Sequence, residues 1–169
     1  YADEGDWSTR TVGPEDRGHR GWIWASGHSG GLKSLELINR YHTNDNGQNW
    51  GPSEPDGGTP GSENSISATN VAPLIEDVHH RPILPTSTDT VIVNARLFDE
   101  QSERVSAKLH WRVDGEAEFV EAPMFDDGAH GDGEVGDAVF GAEIAAQASG
   151  TVIEFYVQSE DGDGLTRTW

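Results

Sequence analysis

Thr90-Val-Ile-Val-Asn-Ala-Arg-Leu-Phe98 and Val105-Ser-Ala-Lys-Leu-His-Trp-Arg-Val113 decide the fold. In the first stretch Val91, Val93, Ala95 and Leu97 share one face, and Asn94 and Arg96 the other. In the second, Ala107, Leu109, Trp111 and Val113 oppose Lys108, His110 and Arg112. Successive side chains of a strand point to opposite faces, so a two-residue period predicts half-buried strands rather than helices. The same reading places strands over residues 74–78, 117–122, 138–145 and 151–159, with polar turns between them. That pattern is an all-β sandwich, and Trp111 is its predicted core indole. His79-His80-Arg81-Pro82 is read as the stop of the first of these strands.

Between two of the predicted strands lies Met124-Phe-Asp-Asp-Gly-Ala-His-Gly-Asp-Gly-Glu-Val-Gly-Asp-Ala-Val-Phe-Gly141. Asp126, Asp127, Asp132, Asp137 and Glu134 fall close together, spaced by Gly128, Gly131, Gly133 and Gly136. Hard oxygen ligands on a flexible backbone suit calcium, which takes six to eight oxygens in an adaptable geometry. The expected metal ligands are therefore Asp126, Asp127, Asp132 and Asp137, with a carbonyl near His130, and Asp99 and Asp161 as further contributors. The register is not that of an EF-hand. A solvated acidic loop, or one held by His130 and backbone amides, is the competing reading.

Upstream the pattern changes. Residues 1–65 are rich in Gly, Trp, Asn and Ser, and only Lys33-Ser-Leu-Glu-Leu-Ile-Asn39 alternates clearly. There Leu35 and Leu37 are read as one face, with Glu36 toward solvent. Trp22-Ile-Trp24 reads as a second short strand. Trp7, Trp22, Trp24 and Trp50 are candidates for an aromatic core, or, for Trp22 and Trp24, a sugar-stacking platform. The expected organisation is a Trp/Gly-rich β segment over 1–65, a linker over 66–73 and a sandwich over 74–169.

Thirty acidic against eleven basic residues give a net charge of −19 in 169 residues, so no basic patch is available to neutralise nucleic-acid phosphates. Cysteine is absent, which removes disulfides and thiolate metal sites from consideration. No apolar run is long enough to span a bilayer as a helix. Starting at Tyr1 without Met and stopping at Trp169 after a strand-like segment, the sequence reads as an excerpt of something longer.

Two resemblances bear on this organisation. Tyr1-Ala-Asp-Glu-Gly-Asp-Trp7, Gly31-Leu-Lys-Ser-Leu-Glu-Leu37, Asn49-Trp50 and Gly57-Gly-Thr-Pro-Gly-Ser-Glu-Asn-Ser65 resemble the C-terminal part of a bacterial lamin-tail domain. That likeness implies an Ig-like β fold whose N-terminal strands are missing here, and no catalytic role. Phe98-Asp99, Met124 to Asp132, Gly136-Asp-Ala-Val-Phe140 and Phe155-Tyr156 to Gly164 resemble the Ig-like or fibronectin-III-like modules that follow lamin-tail domains in large secreted bacterial proteins. Ala138 stands where those modules usually have Gly, and Phe140 where they have Tyr.

Chemistry is sparse. His79-His80 offers half of a zinc site, but no further His or Asp stands at suitable ligand spacing, and the preferred reading is a pair of exposed strand-end histidines. Glu36 and Glu154 are read on solvent faces, which argues against a glycosidase pair. No nucleophile, base and oxyanion arrangement assembles. The expected function is a non-catalytic structural or adhesive β-sandwich module of a secreted or cell-surface bacterial protein, stabilised by Ca²⁺. Its partners would be other extracellular domains, surface components or glycans, with no nucleic acid and no membrane insertion. The alternative is a carbohydrate-binding accessory module of an extracellular hydrolase, carried by Trp22 and Trp24.

Overall fold

Every strand pairing in the computed structural model is antiparallel; it describes residues 10–16, 19–24, 28, 31–100 and 104–169. The chain divides into two units, Tyr1–Val71 and Ala72–Trp169.

In the first unit β1 (Arg10–Asp16) pairs with β2 (His19–Trp24), setting Val12 opposite Trp22 and Arg10 opposite Trp24. Trp7 and the side chains of Trp22 and Trp24 lie outside the described residues, so the aromatic-core and sugar-platform expectations fall there too. β3 (Leu35–Leu37) pairs with β4 (Trp50–Pro52). Its buried residue is not a leucine. Leu35 and Leu37 are half-buried, whereas Glu36 between them is only 4% exposed, which corrects the solvent placement read from the alternation. The reason is that its carboxylate is fully engaged: Thr59 Oγ1 donates at 2.6 Å, and Ser65 N–H and Oγ each donate at 2.7 Å. Buried Asn39 and Asn49 continue the pattern, with Asn39 N–H donating to Asn49 Oδ1 and Asn49 Nδ2 donating back to the Asn39 carbonyl, both at 2.8 Å. Trp50 stays half-buried and its Nε1–H donates to the Asn44 carbonyl at 2.9 Å. Among the described residues this unit is therefore built on a buried polar network. Such networks hold to the extent that their buried donors and acceptors are matched, as those of Glu36, Asn39 and Asn49 are here.

Among its described residues the second unit is an Ig-like sandwich of seven strands: β5 (Leu74–Arg81), β6 (Val91–Phe98), β7 (Ser106–Val113), β8 (Val120–Met124), β9 (Val139–Ile144), β10 (Ile153–Glu160) and β11 (Thr166–Thr168). One sheet has the order β5-β6-β9 and the other β11-β10-β7-β8. Ile75, Val93, Ala95, Leu97, Ala142 and Ile144 from the first sheet meet Ala107, Leu109, Met124 and Val157 from the second. Each such aliphatic side chain contributes roughly 1.5–3 kcal/mol when fully buried. Trp111 packs against this core while remaining half-buried.

Two contacts close the sides of the sandwich. Ser159 Oγ and Arg167 Nε donate to the Pro73 carbonyl at 3.2 and 3.0 Å, fastening β10 and β11 to the entry of β5. On the other side Phe125 and Gly141 exchange backbone hydrogen bonds at 2.9 and 2.8 Å, joining the continuation of β8 to β9.

β5 runs through His79 and His80 rather than stopping before them. Its register against β6 shifts between Glu76 and His79, where Asp77 takes φ 50°. A bulge adds a residue and lets the strand resume, so these histidines are strand residues. The short β11 has no counterpart in the sequence reading.

Candidate functional site

The acidic loop follows β8 and runs to β9, and its carboxylates are engaged chiefly by the loop's own N–H groups. Asp132, 3% exposed, accepts from Asp127 N at 2.6 Å and Gly128 N at 2.8 Å through Oδ2, and from His130 N at 3.0 Å through Oδ1. Burial pushes its carboxyl up, but these amide donors outweigh that and hold it below the ordinary Asp value. Asp126 spans the loop's far end, accepting from Gly136, Asp137 and Ala138 N–H at 2.8, 3.2 and 3.0 Å. Asp137 accepts from Val139 N at 3.0 Å and Glu134 N at 3.3 Å.

Asp127 plays a different part. Its Oδ1 lies 2.9 Å from His130 Nδ1, and the His130 ring stacks on Phe125 with centroids 4.5 Å apart. The hydrogen bond with His130 draws the Asp127 carboxyl down, and the same contact raises the imidazole. The loop lies over Gly141 of β9, where a Cβ would collide with the His130 carbonyl, so only glycine fits beneath it.

Of the residues put forward as metal ligands, the fold thus brings Asp127 to His130, and Asp132 to the amides beside them. It gives Asp126 and Asp137 separate sets of amide donors. Among the described residues no three His, Asp or Glu side chains gather as a metal-holding group. Asp161, weighed as an extra ligand, accepts from Asp163 N and Leu165 N at 2.9 and 2.8 Å within its own turn.

Beside this loop, over the outer face of β5 and β6, lies a cavity of about 550 Å³. Asp77, His79 and Arg81 line it from β5, Asn94 and Arg96 from β6, and Asp132 and Asp137 from the loop. Arg96 Nη1 donates to the Asp137 carbonyl at 3.2 Å, and its Nε stands 3.7 Å from Asp77 Oδ2. Arg81 Nη2 lies 3.2 Å from His79 Nε2. Asn94 is 1% exposed because the loop covers it. Its Nδ2 donates to the Gly131 carbonyl at 3.1 Å, and its Oδ1 has no hydrogen-bond partner. Sequence reasoning did not assemble this group, although alternation had put Asn94 and Arg96 on the polar face of β6, and the His-His-Arg motif had drawn notice.

The opposite sheet carries a second polar face. His110, 6% exposed, stacks on Tyr156 at 4.4 Å, Phe119 meets Tyr156 edge-on at 5.0 Å, and the Arg112 guanidinium sits 4.4 Å from the Phe119 ring. Arg112 Nε also donates to Glu154 Oε2 at 2.6 Å, so Glu154 is half-buried and paired rather than solvated as expected. These contacts consolidate the cross-strand pairs His110–Tyr156 and Arg112–Glu154.

With the geometry established, the chain can be compared with known proteins. The family model for the conditioned medium factor second Ig-like domain covers residues 85–168. It spans six of the seven strands, starting after β5. No curated protein matches the chain, and no solved structure does.

Proposed function

We propose that the chain serves as a non-catalytic structural or adhesive module of a secreted or cell-surface bacterial protein. The observation that carries this reading is the use made of the acidic loop. Asp126, Asp132 and Asp137, the residues best suited to chemistry, are each engaged by backbone amides that shape the loop. A carboxylate holding two or three N–H groups is an anchor, not a poised acid or base. The Ig-like sandwich matched over 85–168 supports the same reading.

Calcium enters as an added brace rather than as the agent that closes the loop. Ionised carboxylates offer about four acceptor sites, so the amides leave lone pairs to spare. The charge of four aspartates and Glu134 still favours a divalent cation nearby. Thermal unfolding of the chain in EDTA and then in millimolar CaCl₂ tests this. A higher midpoint in CaCl₂, absent with MgCl₂, supports the brace. An unchanged midpoint removes calcium and leaves the amide-closed module. Hydrolytic activity from the purified chain, abolished by a loop substitution, would overturn the structural reading itself.

A further inference from the structure

We infer that the cavity between the acidic loop and the outer face of β5 and β6 is a binding site for a neutral, hydroxyl-rich ligand, namely a sugar residue. This goes beyond the structural reading and does not depend on calcium or on Trp22 and Trp24.

Two independent observations meet at this cavity. Its volume of about 550 Å³ is in the size range of small-molecule sites, roughly 300–1,000 Å³. Asn94 lines it too, but the loop over Gly131 buries its Oδ1, so that acceptor is out of a ligand's reach and counts toward no contact. Asp77, also in the wall, sits in a left-handed conformation at a β-bulge, with φ 50°. Non-glycine residues in that region carry strain that concentrates at ligand sites, and bulges re-aim side chains beside them.

Charge decides the class of ligand. Asp77, Asp132 and Asp137 line the cavity together with Arg81 and Arg96. A bare cation would face two guanidiniums, and a phosphate or carboxylate would face three aspartates. A hydroxyl both donates and accepts. Neighbouring hydroxyls of a sugar can donate to Asp77 while accepting from the Arg81 fork, whose planar N–H set suits paired oxygens. Mixed donors and acceptors of both signs are therefore matched by a polyol and mismatched by an ion.

The test is a ¹⁵N–¹H titration of the full chain with glucose, galactose, mannose and N-acetylglucosamine. Parallel arms use sodium phosphate and CaCl₂, and the signals followed are the Asn94 side-chain amide and the Arg81 and Arg96 Nε–H. At least one sugar is expected to shift these signals saturably, with half-saturation on the order of 1–10 mM for so small a ligand. Arg81→Ala is expected to raise the half-saturating concentration at least about tenfold, a loss of about 1.4 kcal/mol. Asp77→Gly removes a carboxylate while giving the bulge the residue its φ favours, so it separates lost binding from lost folding. No saturable shift by any sugar up to about 100 mM, where even weak millimolar binding would be saturated, would overturn the proposal. So would phosphate or Ca²⁺ alone moving these signals, or variants that bind as the wild type does. Each of those results leaves the structural-module reading standing.

Discussion

Ala138 and Asp126 meet across the neck of the acidic loop: the Ala138 N–H donates to Asp126 Oδ2 at 3.0 Å while Ala138 itself holds φ 66°. A Cβ is unfavourable in that left-handed conformation. The resemblance to secreted bacterial modules had marked Ala138 as standing where Gly is usual, and the backbone now supplies the reason. Ala138→Gly is expected to stabilise the second unit by ~1 kcal/mol, the lost strain exceeding the added chain entropy of glycine. Urea unfolding checks this. A lower midpoint with an unchanged slope would mean that the alanine methyl makes a packing contact worth more than the strain.

Asp132 is the loop's internal anchor, and its removal leaves three N–H groups without their acceptor. Asp132→Ala is expected to destabilise the second unit by ~2 kcal/mol, the scale of losing charge-assisted hydrogen bonds at a buried site. Asp132→Asn should retain part of this, since one amide oxygen still accepts. Amide hydrogen exchange at Asp127, Gly128 and His130 reports the loss directly. Unchanged protection there in the alanine variant would show that the loop does not depend on this carboxylate.

The pairing of Asp127 with His130 predicts a two-sided pH dependence. The Asp127 carboxyl lies below its ordinary value, chiefly through His130, so its contribution is present above about pH 4 and is lost as pH falls through the folded value. Asp132 adds to that acid limb in the same sense. The His130 imidazole lies above its ordinary value, so its contribution is present below about pH 6.5 and is lost as pH rises through the folded value. Loop protection should therefore be greatest between these limits. Asp127→Asn is expected to flatten the upper limb and to leave the Asp132 part of the lower one. An upper limb of equal size in Asp127→Asn would exclude the pair as its source.

Trp111 faces the core from β7, opposite Phe155 and Val120 in its neighbouring strands. Because it is half-buried, Trp111→Ala is expected to cost about 3 kcal/mol, the low end for a core indole. A loss below ~1 kcal/mol would place the indole's contacts at the surface.

The strands that were legible in the sequence are those whose alternation is enforced by a single buried face. Val93, Ala95 and Leu97 of β6, with Ala107 and Leu109 of β7, are such a set. Where the reading failed, the cause lies far along the chain. Asn94 looked like a solvent residue and is buried because the loop around Gly131 folds over it. His110 is covered by Tyr156 on the next strand. β5 continues through His79 only because Asp77 accepts a left-handed conformation that no local residue pattern advertises. The three residues of β11 are too few to show a period. Likewise the acidic loop announced its carboxylates but not their partners, since backbone N–H groups have no signature in a sequence. The cavity beside it was still less visible, being assembled from β5, β6 and the loop.

Glu36 gives the sharpest test in the first unit. Its two oxygens divide the work: Oε1 accepts from Thr59 Oγ1, and Oε2 from Ser65 N–H and Oγ. Thr59 and Ser65 lie in the Gly-Thr-Pro-Gly-Ser-Glu-Asn-Ser segment singled out by the lamin-tail likeness, so the carboxylate fastens that segment to β3. Burial pushes Glu36 up, but the combined donors of Thr59, Ser65 and Ile66 prevail and hold it below the ordinary Glu value. Its contribution is accordingly present above about pH 4.3 and lost as pH falls through the lowered folded value. Glu36→Gln is expected to be tolerated, because the amide oxygen can take the Ser65 donors while its NH₂ donates to a reoriented Thr59 hydroxyl. Glu36→Ala offers no such exchange and strands the Ser65 N–H. It is expected to loosen residues 57–65, seen as lost hydrogen-exchange protection at Ser65 and early proteolytic cleavage there, with the amides of β5 to β10 unchanged. If alanine and glutamine behave alike, the side chain fills space and does not fasten the segment.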